Sequence, residues 1–436
     1  MSDDNRRAVF GWAMYDWANS AFATTVMAAF FPIFFKQFWS TGADAVLSTA
    51  KLGLANSMAG IAVALCAPVL GAIADRGQVR KRFLICFAFA GAAATASLGL
   101  IGQGEWHQAA ALYIVAMIGF AGGNIFYDSL ITAVATEKRL DAVSALGFSL
   151  GYLGGGLLFA LNVGMTLRPG FFGLESAAAA VRFSFLSVGI WWVLFSLPLI
   201  LFVREPAGRE QEKIGGIVAA GLRQLLQTFR EIRHHRTIVT FLAAYWLYID
   251  GVNTIIVMAL DYGLSIGFAS QDLILALLMT QFIGFPAALA FGRLGGLIGT
   301  KRAILVAIAI YLAMPLWGFF MQSKTEFFLM AGFIGLVQGG VQALSRSFFA
   351  RIIPPDKAAE YFGFYNMVGK FAAVVGPLLI GGVALWARSA GVGGDLASRL
   401  SILSITFLFL AGGGLLLLVD EQRGRQEARY LMGGEI

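Results

Sequence analysis

Twelve apolar runs, each about as long as a membrane-spanning helix, constrain this chain more than any other feature of its sequence. A helix needs about 20 residues to cross the hydrocarbon layer of a bilayer. The runs lie near residues 11–35, 52–74, 83–102, 108–135, 143–166, 182–203, 237–260, 272–292, 303–321, 326–350, 361–386 and 400–419. Charged residues make up 13% of the chain, whereas about a quarter of a soluble domain is charged. The sequence therefore predicts an all-α integral membrane protein with twelve transmembrane helices.

The runs are arranged as six, a polar segment, and six more. This arrangement predicts an N-terminal half at 1–203, a loop at 204–236 and a C-terminal half at 237–436. Within the loop, apolar residues recur at helical spacing from Ile214 to Ile232, with arginines among them. Such a pattern is typical of a basic amphipathic helix on a membrane surface. A solvated linker with accidental periodicity is the alternative.

Positive charge is concentrated on one side of the predicted helices. With the N-terminus placed in the cytoplasm, 24 of the 32 lysines and arginines fall in cytoplasmic segments. Cytoplasmic loops of membrane proteins carry such an excess, so both termini are predicted to be cytoplasmic. The net charge of +7 therefore reflects membrane topology, and nucleic acid is not an expected partner.

A short polar pattern occurs once in each half. Asp16, Asn19 and Ser20 share one face of a helix in the first apolar run, and the same pattern recurs at residues 250–254 in the seventh. Residues spaced by three and four positions lie on one face, and a polar face in a membrane helix turns toward protein or water. Glycines in corresponding runs recur at offsets of 216 to 221 residues. Together these repeated patterns predict a duplicated six-helix unit.

The loop between the second and third runs carries a charged motif formed by Gly71, Asp75, Arg76 and Arg80. The glycine lets two helices approach closely, the carboxylate can accept hydrogen bonds from a helix N-terminus, and the cations can pair with it. This motif, the twelve runs and the repeat resemble the major facilitator superfamily. The resemblance implies that the four residues act as a conformational lock on the cytoplasmic side.

Further stretches resemble one branch of that superfamily, the one related to the autophagy-associated vacuolar amino-acid effluxer and its bacterial relatives. The stretches are Tyr15–Ala21, Tyr152–Gly156, Tyr248–Thr254, Gln342–Ser347 and Gly363–Asn366. The resemblance implies a secondary transporter that works by alternating access, with helices one, four, seven and ten lining a central path. It also implies an amino acid or a related zwitterion as the leading substrate, and a bacterial cytoplasmic membrane as the location.

The second half departs from the family pattern in its copy of the loop motif. Gly296 and Leu297 stand where the first half has Asp75 and Arg76. The charged lock is therefore expected in the first half alone.

Polar residues inside the apolar runs are the candidates for substrate binding and ion coupling. They are Asp16, Asn19, Asn124, Asp128, Asp250, Asn253, Gln338, Gln342, Asn366 and Lys370. Each charged group near the bilayer centre costs about 2.5–3.5 kcal/mol, so these groups must be neutral, paired or hydrated. Fixed salt bridges or helix-end contacts are the alternative to a transport role. Arg346, near the end of its run, is expected to be interfacial.

The coupling ion is predicted to be H⁺. All three histidines lie outside the apolar runs, so carboxylates are the available proton carriers. Asp16, Asp128 and Asp250 are the candidates: Asp250 is the first because of its depth in the span, and Asp128 the second because it lies across the predicted interface. Lys370 is the mid-membrane cation that a coupling carboxylate would approach in one state and leave in another. A nearby cation lowers a carboxylate's affinity for protons, and desolvation raises it.

The remaining motifs do not indicate an enzyme, a cofactor or a metal. Gly147, Ser149 and Gly151 match a hydrolase nucleophile pattern, but no histidine base lies in the runs. Gly147, Gly151 and Gly155 are better explained as a face for close helix packing. The sequence thus predicts a secondary active transporter of a small solute. The rival hypothesis is a non-transporting membrane sensor or scaffold on the same fold.

Overall fold

The computed structural model of the chain describes residues 3–42, 45–205, 228, 235–265, 270–321, 323–372 and 375–431. The regular structure in these ranges is helical, and twelve stretches within them are long and apolar enough to cross a membrane. The prediction of an all-α protein with twelve transmembrane helices is confirmed. The amphipathic helix predicted in the central loop lies outside the described residues, so it stays a prediction.

The helices follow the apolar runs closely. They are α1 (Asp3–Ala21, continued by further helical turns to Trp39), α2 (Ala45–Gly77), α3 (Arg80–Leu98), α4 (Trp106–Val134), α5 (Leu140–Leu167), α6 (Ala177–Phe202), α7 (Arg236–Ser265), α8 (Ser270–Ile298), α9 (Thr300–Phe320), α10 (Lys324–Ile352), α11 (Ala358–Phe371), α12 (Val375–Ser389), α13 (Gly394–Leu403), α14 (Ile405–Leu418) and α15 (Glu421–Leu431).

The eleventh apolar run is divided into two helices, although the sequence suggested one. α11 ends at Phe371 and α12 begins at Val375. Pro377 lies in the first turn of α12, where its missing N–H removes no helical hydrogen bond. The same proline inside one long helix would have lost that bond. The dipeptide of Gly376 and Pro377 is the sequence signal that marks this break.

The packing of the chain divides it into two compact units. The first unit comprises Met1–Thr136, Gly147–Arg223 and Ala358–Gly363, and the remaining residues form the second. The second unit thus includes the start of α5, and the first includes the start of α11. The boundaries predicted at residues 203 and 237 stay a prediction, because most of the segment between them lies outside the described residues.

Each unit packs its helices in the same pairs. In the first unit α1 contacts α6, α2 contacts α4, and α3 contacts both α4 and α6; in the second, α7 contacts α14, α8 contacts α10, and α9 contacts both α10 and α14. The second set of pairs is the first set moved along by six spans. The predicted duplication of a six-helix unit is therefore visible in the packing.

Glycines allow the closest of these helix approaches. A Cβ atom at Gly151 would lie 2.5 Å from the Ser20 hydroxyl, and one at Gly155 would lie 3.0 Å from the Ser20 carbonyl. Since both neighbours belong to α1, the glycine face of α5 packs against α1. This confirms the close-packing face predicted for Gly147, Gly151 and Gly155.

Candidate transport site

A buried polar cluster joins α1 to α4 in the first unit. The Tyr127 hydroxyl donates to the Asp16 carboxylate at 2.9 Å. The Trp12 indole N–H donates to the Tyr127 carbonyl at 2.8 Å, and the two rings stack with centroids 4.4 Å apart. Tyr127 is thus fixed at its backbone, its ring and its hydroxyl. The geometry holds the Asp16 carboxylate at a defined place on the α1 face.

The same face continues one turn further along α1. The Asn19 amide donates to the Asn124 side-chain oxygen at 2.6 Å, and Asp128 is buried one turn beyond Asn124 on α4. A Cβ atom at Gly147 would lie 2.9 Å from the Asp16 carboxylate, so α5 closes the cluster from a third side. All four polar candidates of the first half therefore lie on α1 and α4, on helices that pack together.

Asp250 has a different environment in the second unit. Its carboxylate accepts the backbone N–H groups of Val375 and Gly376, each at 3.0 Å, and the Thr254 hydroxyl at 3.2 Å. These N–H groups open α12, and a helix N-terminus favours a negative charge. A Cβ atom at Gly376 would overlap the Thr254 hydroxyl. Asp250 therefore caps the helix that follows the break in the eleventh span, one of the helix-end contacts that the sequence left open.

Aromatic side chains connect α7, α10 and α11. The hydroxyl groups of Tyr248 and Ser345 lie 2.7 Å apart and share a hydrogen bond. Tyr245 stacks on Tyr365 with ring centroids 4.1 Å apart, and Tyr365 stacks on Phe349 at 5.0 Å. These contacts join the three helices that carry the remaining polar candidates.

Those candidates are half-buried, and most are free to bind a ligand. They are Asn253, Gln338, Gln342, Asn366 and Lys370. Within the described part of the chain, the side chains of Asn253, Gln338, Gln342 and Lys370 make no hydrogen bond or ion pair. A Cβ atom at Gly369 would lie 3.5 Å from the Tyr245 hydroxyl. The residue that precedes Lys370 therefore lies beside the stacked rings of Tyr245 and Tyr365. Lys370 is an ammonium group inside a span without a fixed counter-charge among the described side chains.

The charged loop motif lies at the end of α2. Asp75 pairs with Arg80 at 2.5 Å and accepts the backbone N–H groups of Ala359 and Glu360 at 3.1 and 2.8 Å. These two residues begin α11, which confirms that the carboxylate accepts from a helix N-terminus. Arg76 is exposed, and Arg80 is the cation that meets Asp75. A Cβ atom at Gly71 would overlap the Ala359 carbonyl.

A second charged network occurs in the second unit, where the sequence predicted none. Asp141, at the start of α5, pairs with Arg351 at 2.9 Å and accepts from Ser347 and Thr300 at 2.5 and 2.8 Å. This carboxylate comes from α5 and not from the loop after α8, so the expectation that the charged lock occupies the first-half copy of the motif alone stays a prediction.

Arg346 belongs to the same region and is buried, with 2% of its surface exposed. Its guanidinium donates to the Ser144 hydroxyl and to the Ser144 carbonyl, both at 2.9 Å. Oxygen acceptors of Ser144 on α5 therefore compensate the guanidinium charge, and the interfacial depth predicted for Arg346 stays a prediction.

Lys81, at the start of α3, binds the carbonyl groups at the end of α6. Lys81 Nζ donates to the carbonyls of Ile200 and Val203 at 2.6 and 2.7 Å. Glu205 accepts the backbone N–H groups of Arg80 and Lys81 at 2.8 and 3.1 Å. Burial raises the pKa of the Glu205 carboxyl, and these two hydrogen bonds reduce the rise.

The arrangement of helices is that of the major facilitator superfamily. The proton:xylose symporter XylE, bound to 6-bromo-6-deoxy-D-glucose, matches over 98% of both chains with a TM-score of 0.70 and 14% sequence identity. The human organic anion transporter MFSD10 matches 95% of this chain and all of its own, also with a TM-score of 0.70, at 15% identity. At these identities the likeness shows the fold alone.

Sequence relatives define the family within this class. The family model described as "Vacuole effluxer Atg22 like" matches residues 48–429. The MFS-type transporter YxiO of Bacillus subtilis is 38% identical over 94% of both chains. Autophagy-related protein 22 of Saccharomyces cerevisiae is 24% identical over 97% of this chain and 93% of its own. The chain belongs to the Atg22-like family of major facilitator transporters.

Proposed function

We propose that the chain is a secondary active transporter that moves a small zwitterion, with an amino acid as the leading substrate. Transport proceeds by alternating access and is coupled to H⁺, with both termini in the cytoplasm of a bacterial cell. Membership in an effluxer family and the polar clusters of the two units support this proposal.

The state of Lys370 is the observation that carries the substrate class. An ammonium inside a span costs about 2.5–3.5 kcal/mol when nothing compensates it, and the structure gives Lys370 no carboxylate within 4.0 Å among the described side chains. An amino acid, as a zwitterion, offers a carboxylate for Lys370. Gln338 and Gln342, which have no fixed partner in the described part, supply neutral hydrogen bonds.

Binding to purified protein tests this assignment. Amino acids that bind the folded state raise its melting temperature, and a panel of them identifies a ligand. Amidating that ligand removes its carboxylate. The Lys370→Met variant is expected to bind the acid about tenfold or more weakly, since a hydrogen bond to a charged group contributes about 1.5–3 kcal/mol, and to bind the amide as the wild type does.

Lys36→Met is the matched control, because Lys36 is exposed at the end of α1. Equal losses for acid and amide in Lys370→Met contradict the assignment. Counterflow of labelled ligand in proteoliposomes then separates a transporter from the rival sensor or scaffold, which binds ligand without moving it.

The carboxylates Asp16 and Asp128 are the best placed to couple transport to protons. Asp250 is bonded to two backbone N–H groups of α12, so its charge has a structural partner that a protonated carboxyl would lose. Asp16→Asn or Asp128→Asn is expected to keep exchange of substrate and to abolish accumulation driven by a pH gradient. If Asp16→Asn, Asp128→Asn and Asp250→Asn all retain full pH-driven accumulation, coupling by carboxylates is excluded.

The Asp75 network supplies the conformational lock in this proposal. Alternating access requires the start of α11 to leave the end of α2, and Gly71, Asp75 and Arg80 hold that contact together. Arg76 is exposed and contributes positive charge to the same loop. The network around Asp141 holds the start of α5 against α9 and α10 in a corresponding way.

A further inference from the structure

A pocket of about 340 Å³ lies among the ends of α1, α4 and α6 in the first unit. Its walls are of two kinds. Asn5, Arg7 and Arg204 supply polar groups, and Val134, Leu201 and Phe202 supply apolar surface. None of these residues belongs to the polar cluster at Asp16 or to the network at Asp75, so the pocket is separate from the transport site.

The two arginines have no counter-charge in the described structure. No carboxylate of a described side chain lies within 4.0 Å of either guanidinium, and both residues are exposed. Glu205 follows Arg204 directly but binds the backbone N–H groups at the start of α3, so it does not neutralise Arg204. Guanidinium groups bind phosphate oxygens through two parallel hydrogen bonds. The polar side of the pocket therefore suits a phosphate group.

The position of the pocket adds a second requirement. Three membrane spans end at it, near Asn5, Val134 and Phe202. Leu201 is 70% exposed beside the arginines, and exposed apolar side chains at the end of a span contact lipid chains. A ligand that satisfies both sides of the pocket has an anionic phosphate head and an apolar tail.

We propose that this pocket binds an anionic phospholipid, with its phosphate on Arg7 and Arg204 and an acyl chain along Leu201 and Phe202. Basic pockets between transmembrane helices bind such head groups. The site does not involve the transported solute. It attaches the N-terminal start of α1 to the adjacent lipid, and the same helix carries Asp16 further along.

Native mass spectrometry of the purified protein tests the site with phosphatidylglycerol as the probe and phosphatidylcholine as the neutral reference. The Arg7→Gln/Arg204→Gln variant is expected to bind phosphatidylglycerol about thirtyfold more weakly, with each arginine contributing about fivefold. Arg6→Gln/Arg82→Gln is the matched control. It removes the same charge from exposed arginines of the same unit that do not line the pocket, and it is expected to bind as the wild type does.

Three additional measurements distinguish a bound phospholipid from a free phosphate ligand and from a folding defect. Arg7→Lys/Arg204→Lys keeps both charges and is expected to lose less affinity than the glutamine pair, which guards against a folding defect in the latter. Leu201→Gln is expected to weaken phosphatidylglycerol binding, and soluble glycerol phosphate should not displace the lipid. Equal losses in the two glutamine pairs, equal binding of phosphatidylcholine, or full displacement by glycerol phosphate overturns the proposal.

Discussion

In each unit, a glycine near the end of the second span contacts a neighbouring helix. The two units differ in the position of the buried carboxylate that lies near this contact. Gly71 on α2 meets Ala359 at the start of α11, and Gly292 on α8 meets Ala145 near the start of α5. In the first unit Asp75 follows the glycine and caps α11. In the second unit Asp141 stands on α5 itself and pairs with Arg351.

This difference shows that one backbone arrangement accepts two electrostatic solutions. Asp75 combines the Arg80 guanidinium with a helix N-terminus, which carries about half a positive charge. Asp141 combines the Arg351 guanidinium with the hydroxyl groups of Ser347 and Thr300. Lysines are placed alike in both units: Lys301 donates to the carbonyls of Leu417 and Val419 at 2.8 and 2.7 Å, as Lys81 does at the end of α6.

Removing one partner of the Asp141 pair has the largest expected effect. Asp141→Leu or Arg351→Met leaves an uncompensated buried charge, which costs about 3–5 kcal/mol of unfolding free energy. The double variant removes both charges and is expected to cost much less than either single change. Thermal melting in detergent measures this, with exposed Arg82→Met as the control. Single variants that melt within a degree of the wild type contradict the pairing.

The two glycine contacts are expected to be equivalent. Gly71→Ala and Gly292→Ala each place a methyl group against a packed neighbour, at a cost of about 1–3 kcal/mol. Gly296→Ala meets nothing within 4 Å and is expected to stay within about 0.5 kcal/mol of the wild type. The same melting assay ranks the three variants, and a large effect at Gly296 breaks the comparison.

The two lysines should contribute similar stabilities. Lys81→Met and Lys301→Met each remove hydrogen bonds from an ammonium to helix-end carbonyls, with an expected loss of about 1–2 kcal/mol. Methionine keeps most of the apolar stem, so packing changes little. A difference above about 1 kcal/mol between the two would show that the ends of α6 and α14 are not equivalent.

Asp75→Asn tests the lock through the balance of conformational states. The amide retains one acceptor oxygen but loses the charge, which weakens the cap on α11 by about 1 kcal/mol and shifts the equilibrium about fivefold. Labelling of single cysteines from each side of the membrane reports that shift. Gly296→Ala, which changes the corresponding loop position of the second unit, should leave labelling unchanged, and equal effects of both changes argue against a lock at Asp75.

The smallest expected effect is a pH dependence at Glu205. Because burial raises the folded-state pKa of this carboxyl above the ordinary glutamate value of 4.5, the folded state holds its proton more tightly than the unfolded state does. The wild type should therefore be most stable relative to Glu205→Gln at low pH, and lose that advantage as the pH rises through the folded-state pKa. Melting curves of both proteins from pH 4.5 upward measure the difference, and an opposite slope contradicts the assignment.

Much of the fold was predictable from the sequence, and the site was predictable in part. The lengths of the apolar runs identified the spans, and helical spacing put Asp16 and Asn19 on one face of α1. The family resemblance implied that α1 and α4 both line the central path. In the structure, Tyr127 and Asn124 of α4 make the contacts to Asp16 and Asn19. The partners of Asp250 were not predictable, because Val375 and Gly376 bind it through backbone groups that look alike in every sequence.

The sequence by itself determined the class of this protein, because hydrophobic length and helical periodicity are local properties that a bilayer selects directly. Only the tertiary structure decided which charged side chains form ion pairs with each other. Asp141 and Arg351 are about half the chain apart, and no local pattern links them. Buried charges need partners with defined geometry, and folding brings those partners together from helices that are distant in sequence.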